Sequence, residues 1–107
     1  RIPNANDAIV DIDKLTGYCL NSHHPRGKHK ARVFESACGI TAVNAEILRL
    51  QLLDAVVERD ARELPISAHG KRYMVEFTLQ GPAGAADVRS AWIIRDGEEI
   101  PRFVSAY

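Results

Sequence analysis

The sequence predicts an α+β fold in which three N-terminal helices pack on an antiparallel sheet of three or four strands formed by the C-terminal half. Apolar residues recur at helical spacing up to about residue 57, and from residue 72 they alternate with polar residues. Helices followed by strands are typical of a helical layer on one face of a sheet. The length of 107 residues fits a single domain with one core.

The first helix is predicted to be short. The opening segment, 1–10, has the turn residues of a docked arm or a short strand. Asp11 and Asp13 are acidic residues of the kind favoured at the positive end of a helix dipole, so they mark a helix that ends near Asn21.

Two longer helices follow. Pro25 suits the first turn of the second helix, and Gly39 suits the position just after its end. Thr41 and Asn44 are candidate caps of the third helix. Helical spacing predicts a buried stripe on the second helix, formed by Gly27, Ala31, Phe34 and Cys38. The third helix is predicted to be the main pillar of the core with only a narrow polar face, because apolar residues cover much of its circumference: Ala45, Leu48, Leu52 and Val56 together with Ile47, Leu50, Leu53 and Val57.

Alternating residues predict the sheet. A connection from residue 61 to 70 has room for one short strand, and alternation then indicates strands from Arg72 to Gln80, from Ala86 to Arg95 and from Ile100 to Tyr107. The turns between them are predicted at residues 81–84 and at Asp96-Gly97.

The cysteines and the apolar runs limit the class of protein. Cys19 and Cys38 lie in apolar segments, which favours buried thiols over a disulfide. No apolar run is long enough for a membrane span, so we expect no membrane partner. Because the chain opens at Arg1, we expect a domain cut from a longer protein.

The segment Asn21–Arg32 concentrates imidazoles and cations, and no carboxylate lies between Lys14 and Glu35. Such a segment is either a local anion site or a solvated helix face. A metal centre is not predicted, because the histidines have no cysteine or carboxylate at a zinc-ligand spacing. No cofactor motif is present either, so we expect no cofactor.

Five residues of this segment are candidates for function. His29 is the leading acid/base candidate, because imidazole exchanges protons near neutral pH. Lys30 lies on the edge of the buried stripe, so it either extends along the core to solvent or reaches a groove between helix and sheet. Lys28 and Arg32 are candidate phosphate contacts, and His24, near the helix start, is another.

The last strand adds three candidates. Strict alternation would place Ser105 and Tyr107 on one side with Phe103, and Arg102 on the other. Either Arg102 or the Ser105/Tyr107 pair could therefore reach a site on the sheet. Trp92 is expected in the core.

Three stretches resemble a bacterial domain family of unknown function that occurs at the C-termini of polymorphic toxins and beside immunity-type genes. They are the opening IPNANDAIVDIDKL, the run HPRGKHKARVF from His24 to Phe34, and the end of the chain from Trp92 through PRFVSAY. The His-Lys helix followed by a late sheet also resembles, more coarsely, the barnase, EndoU, colicin and RelE superfamily of toxin ribonucleases.

The resemblance implies a metal-independent ribonuclease at the C-terminus of a longer toxin. It would act in the bacterial cytoplasm, after secretion or cell-to-cell delivery, and a cognate immunity protein, expected to be acidic, would neutralise it. Such cleavage needs a base, an acid and cations, which Asn21–Arg32 supplies. On this reading His29, Lys30, Ser105 and Tyr107 are catalytic, and His24, Lys28, Arg32 and Arg102 bind RNA phosphates.

Two alternatives remain open at this stage. The basic second helix could dock an acidic partner without any catalysis, as part of an interaction module. It could also bind nucleic acid without cleaving it.

Overall fold

A computed structural model describes all residues, 1–107, and confirms the α+β class. The helices are α1 (Ile12–Lys14), α2 (Lys28–Cys38) and α3 (Ala45–Glu58), and the strands are β1 (Ala61–Glu63), β2 (Gly70–Gly81), β3 (Gly84–Arg95) and β4 (Arg102–Ala106). The sheet has the order β1-β2-β3-β4 with every neighbouring pair antiparallel. Helices α2 and α3 pack on it, α2 against β3 and α3 against β2.

The first helix differs from its prediction. It is a single α-helical turn that continues as a wider π-helical turn, Leu15–Cys19, instead of a regular helix to Asn21. Gly17 in the middle of this segment disfavours regular helix. The wide turn leaves both Leu15 and Cys19 fully buried, so core packing decides the local conformation.

Helix α2 begins later than predicted. Pro25 lies outside it, in a turn whose His24 carbonyl accepts a hydrogen bond from the Lys28 amide at 3.0 Å. Gly39 has a φ of 69° and ends the helix in the left-handed conformation that glycine adopts readily, as predicted. The predicted stripe is buried along its whole length, from Gly27 to Cys38.

The start of α3 is held by two caps that the sequence indicated. The Thr41 side chain accepts a hydrogen bond from the Val43 amide, and the Asn44 side chain accepts one from the Thr41 amide at 2.7 Å. These bonds cap a 3₁₀ turn, 42–44, from which α3 continues. Of the apolar residues predicted to surround α3, Ala45, Leu48, Leu52 and Val56 are buried, Ile47, Leu53 and Val57 are half-buried, and Leu50 is exposed, so the solvent face of α3 is wider than predicted.

The core lies between the helices and one face of the β2–β3 hairpin. Trp92 and Phe103 are buried there, with their rings edge to face at 5.6 Å between centroids. The Trp92 indole donates a hydrogen bond to Ser90 Oγ at 2.9 Å, and Ser90 donates to the Val75 carbonyl at 2.8 Å. The indole N–H of Trp92 and the hydroxyl of Ser90 are therefore both hydrogen-bonded in the core, as buried polar groups normally are.

A bulge in β4 overturns the predicted alternation. Ala91 and Trp92 are adjacent in β3, but their partners Ser105 and Phe103 are two residues apart, so β4 contains one extra residue. Phe103 and Ala106 are both buried as a result, and Ser105 lies opposite Ala91 instead of sharing a side with Phe103.

The remaining predictions for the chain concern its start and its cysteines. Ile9 forms a bridge to Arg102 beside β4, as expected of a docked arm. Cys19 and Cys38 are free and buried, as predicted. None of the helices has the length and apolar character that crossing a membrane requires.

Candidate functional site

The Lys30 ammonium contacts three side chains from two other parts of the chain. It donates a hydrogen bond to Ser105 Oγ at 2.9 Å and a long one to the Tyr18 hydroxyl at 3.5 Å. Its Nζ also lies 4.9 Å from the centroid of the Tyr18 ring and 5.2 Å from that of Tyr107. We call Tyr18, Lys30, Ser105 and Tyr107 the lysine cluster.

Local structure brings these residues together. Gly27 lets α2 approach the Tyr18 segment, because a Cβ added to Gly27 would lie only 2.1 Å from the Tyr18 carbonyl oxygen. Tyr107 is held against β3 by two backbone hydrogen bonds exchanged with Arg89, at 2.8 and 2.9 Å. Lys30 then spans the space between α2 and the end of β4.

The lysine cluster has hydrogen-bond donors to spare and contains no acidic side chain. Lys30 is half-buried, yet it takes part in none of the ion pairs of the protein. An ammonium can only donate, so Ser105 and Tyr18 accept from it and their own hydroxyl protons remain free. A half-buried cation without a carboxylate, beside two hydroxyl donors, is suited to binding an anion.

His24 borders the cluster but has one ring nitrogen committed to the backbone. Its Nδ1 accepts hydrogen bonds from the amides of Arg26 and Gly27, both at 3.0 Å. This leaves the ring proton on Nε2, which makes that atom a donor. The ring packs edge to face on Tyr18 with centroids 4.8 Å apart, so His24 positions Tyr18 and can donate to an anion nearby.

A groove of about 210 Å³ runs from the lysine cluster between α2 and β3. His29 is exposed on its rim, and Lys30 and Tyr107 belong to both the groove and the cluster. Cys38 also lines the groove, but burial raises the pKa of its thiol, so it is an apolar wall and a poor nucleophile.

The structure separates the other predicted residues from the cluster. Arg102 forms an ion pair with Glu98 at 3.0 Å, three residues along β4 from Ser105. Hydrogen bonding from Arg102 holds the pKa of Glu98 below its usual value. Lys28 is half-buried and Arg32 is exposed on α2, and neither contacts the cluster.

No group of three or more histidine, cysteine, aspartate or glutamate side chains is close enough to hold a metal ion. Larger depressions are also present. The largest, of about 590 Å³, adjoins the groove, because Asp87, Val88 and Tyr107 line both. Its Arg89 and Glu76 form an ion pair at 3.7 Å.

Comparison with known protein families gives one match. Residues 1–107 match a family described as a domain of unknown function, DUF6883. The chain belongs to this family. No curated protein is similar enough in sequence to match it.

Tyr18 belongs to the lysine cluster of this DUF6883 domain, although the sequence alone gives it no role in a site. Its contact with Lys30 spans twelve residues and depends on the π-helical turn and on the close approach of Gly27. A local pattern contains no signal for such a contact. A glycine just before a helix is nevertheless compatible with a close approach of another segment at that point.

Proposed function

We propose that this domain is a toxin-like, metal-independent ribonuclease whose site is the lysine cluster. The observation that carries the proposal is the half-buried Lys30, which has two hydroxyl neighbours, two aromatic rings and no carboxylate. A phosphodiester supplies the negative charge that the cluster lacks. Its non-bridging oxygens would accept from Lys30, Ser105 and Tyr18, and from Nε2 of His24 at the border.

Cleavage at this site needs no metal. The ribose 2′-oxygen attacks the phosphorus while His29 takes the 2′-hydroxyl proton. The bond from phosphorus to the 5′-oxygen breaks, and that oxygen receives a proton from the Lys30 ammonium. The products are a 2′,3′-cyclic phosphate and a free 5′-hydroxyl. Ser105 and Tyr18 would stabilise the charge that develops on the phosphorane oxygens, and Tyr107 would hold Lys30 through its ring.

The location of the remaining cations gives them a different role. Arg32 is exposed on α2, and Lys28 is near it on the same helix. These residues offer a positive surface to the RNA backbone and to an acidic immunity protein that would cover α2. The domain would then act in the bacterial cytoplasm, as the C-terminal part of a longer toxin.

The experiment is induction of the domain in bacteria, followed by electrophoresis of total RNA. The comparison set is the native chain, His29→Ala, Lys30→Ala and, as a matched lysine control, Lys71→Ala on the exposed part of β2. We expect growth arrest and discrete RNA fragments with the native chain and with Lys71→Ala, and neither with the other two variants.

Intact RNA and normal growth from a soluble, folded native chain would overturn the proposal. In that case the exposed cations of α2 favour the second function, a module that docks an acidic partner without catalysis. That function predicts a stepwise loss of binding as Lys28, Lys30 and Arg32 are neutralised one at a time.

A further inference from the structure

The groove beside the lysine cluster differs from the cluster in its chemistry. Its walls are mainly apolar, formed by Val33, Phe34, Cys38, Ala86, Val88 and the ring of Tyr107. Three polar residues, His29, Lys30 and Asp87, complete the lining, and the Asp87 carboxylate accepts a hydrogen bond from the Thr78 hydroxyl at 3.1 Å. Val33 is 61% exposed on the outer rim, which leaves apolar surface open at the mouth of the groove. A ligand here would be held mainly through its faces, since few polar groups are present to read its edges.

The size of the groove limits the ligand. Its volume of about 210 Å³ is below the roughly 300–1,000 Å³ of sites for drug-sized molecules. One flat heterocycle fits these dimensions. Because Lys30 and Tyr107 line both features, a ligand in the groove would have its anionic group at the lysine cluster.

We propose that the groove is a stacking site for one purine of the RNA whose phosphate lies at Lys30. The inference rests on the proposed function and adds a substrate preference to it. A purine has a larger apolar face than a pyrimidine, so it gains more from walls of this kind. Stacking without readout of the base edges gives a modest preference that is similar for adenine and guanine.

The test is an NMR titration of the domain with three probes, the 3′-monophosphates of adenosine and uridine and inorganic phosphate. Stacking of one base changes affinity by about 5- to 150-fold, so we expect the adenosine nucleotide to bind at least several-fold more tightly than inorganic phosphate. The uridine nucleotide should bind with an affinity between those two, because its smaller base buries less apolar surface. Amide shifts should reach Val33 and Val88 for the adenosine probe, whereas phosphate should shift only the surroundings of Lys30.

Two variants test the groove itself. Ala86→Leu fills it, and the exposed Val33→Ala removes part of its wall without a folding risk. Val43→Ala is the matched control, since Val43 is 97% exposed and outside the groove. We expect both groove variants to lose the adenosine advantage and keep phosphate binding, and Val43→Ala to lose neither.

The purine site and the ribonuclease activity are tested by different outcomes. Equal binding of the three probes by the native domain, or an adenosine advantage that survives both groove variants, would overturn the purine site even if RNA is cleaved. A Val33-dependent adenosine advantage in a domain that leaves RNA intact would support the purine site and overturn the ribonuclease.

Discussion

The two ends of β4 carry two cations in opposite situations. At its start Arg102 is paired with Glu98 at 3.0 Å, within a short surface turn. At its end Ser105 receives a hydrogen bond from Lys30, which has hydroxyls and aromatic rings around it and no carboxylate. The comparison teaches that basic residues near one strand are not equivalent. The charge of Arg102 is already paired with a carboxylate inside the protein, whereas the charge of Lys30 can interact with an anionic ligand.

The largest effect expected from this comparison is on RNA cleavage. Lys30 is proposed as the general acid, a role that contributes roughly 10²- to 10⁴-fold to the rate, and we expect a loss of this size for Lys30→Ala. Arg102→Ala should leave the rate within about twofold, because its charge is already neutralised by Glu98. The rates at which purified Lys30→Ala and Arg102→Ala cleave a short RNA measure these effects. Equal losses of activity in the two variants would contradict the difference between the two cations.

The next effect concerns the position of Lys30. Gly27→Ala places a methyl group against the Tyr18 carbonyl, and overpacking of this kind costs about 1–3 kcal/mol. We expect a lower thermal midpoint and a disturbed lysine cluster. Calorimetry and the cleavage rate check this, with Gly17→Ala as the control, because a Cβ there has no atom within 4 Å. An unchanged midpoint in Gly27→Ala would mean that the close approach is not a constraint.

A smaller effect is expected from phosphate. If an anion fills the lysine cluster, phosphate at ten times its Kd stabilises the fold by about 1.4 kcal/mol. For a domain of this size that raises Tm by roughly 6 °C. The rise should be absent in Lys30→Gln and present in Arg102→Gln. A phosphate effect that depends on Arg102 instead would place the anion at the wrong end of β4.

The smallest effect is the pH dependence of the Arg102–Glu98 pair. The pKa of Glu98 is lowered in the folded state, mainly by its hydrogen bond with Arg102. Its contribution to the free energy of unfolding is therefore fully present above the pKa of the unfolded state, and it is lost as the pH falls through the lowered pKa of the folded state. The small Tm difference between the native chain and Glu98→Gln at pH 7 should disappear in acid. A difference that persists there would show that the pair is not its cause.

The fold was largely predictable because its signals are local. The buried stripe of α2 and its end at Gly39 follow from spacing and turn chemistry within a few residues. The alternation along β2 does so as well, except at Met74, which is buried although alternation places it on the polar side. The errors lie where tertiary packing decides. The π-helical turn at Leu15–Cys19 and the bulge in β4 both arise from burying particular side chains, and neither has a distinct sequence pattern.

The candidate site was predictable only in part for the same reason. Lys30 was identified because a lysine on the edge of a buried stripe is unusual, and Ser105 was named as a strand residue that could reach a site. Their contact joins residues 75 positions apart. The sequence predicts Arg102 as a phosphate contact, and in the structure Arg102 forms an ion pair with Glu98, four residues earlier.

The most direct test of the account uses a short RNA of defined sequence and mass spectrometry of its products. The native domain should produce fragments that end in a 2′,3′-cyclic phosphate, and Lys30→Ala should leave the RNA whole. A matched RNA with 2′-deoxyribose at the cleaved position should also remain whole, because it lacks the attacking oxygen. Cleavage of the deoxy substrate, equal cleavage by Lys30→Ala, or no cleavage by a folded native domain would contradict the account.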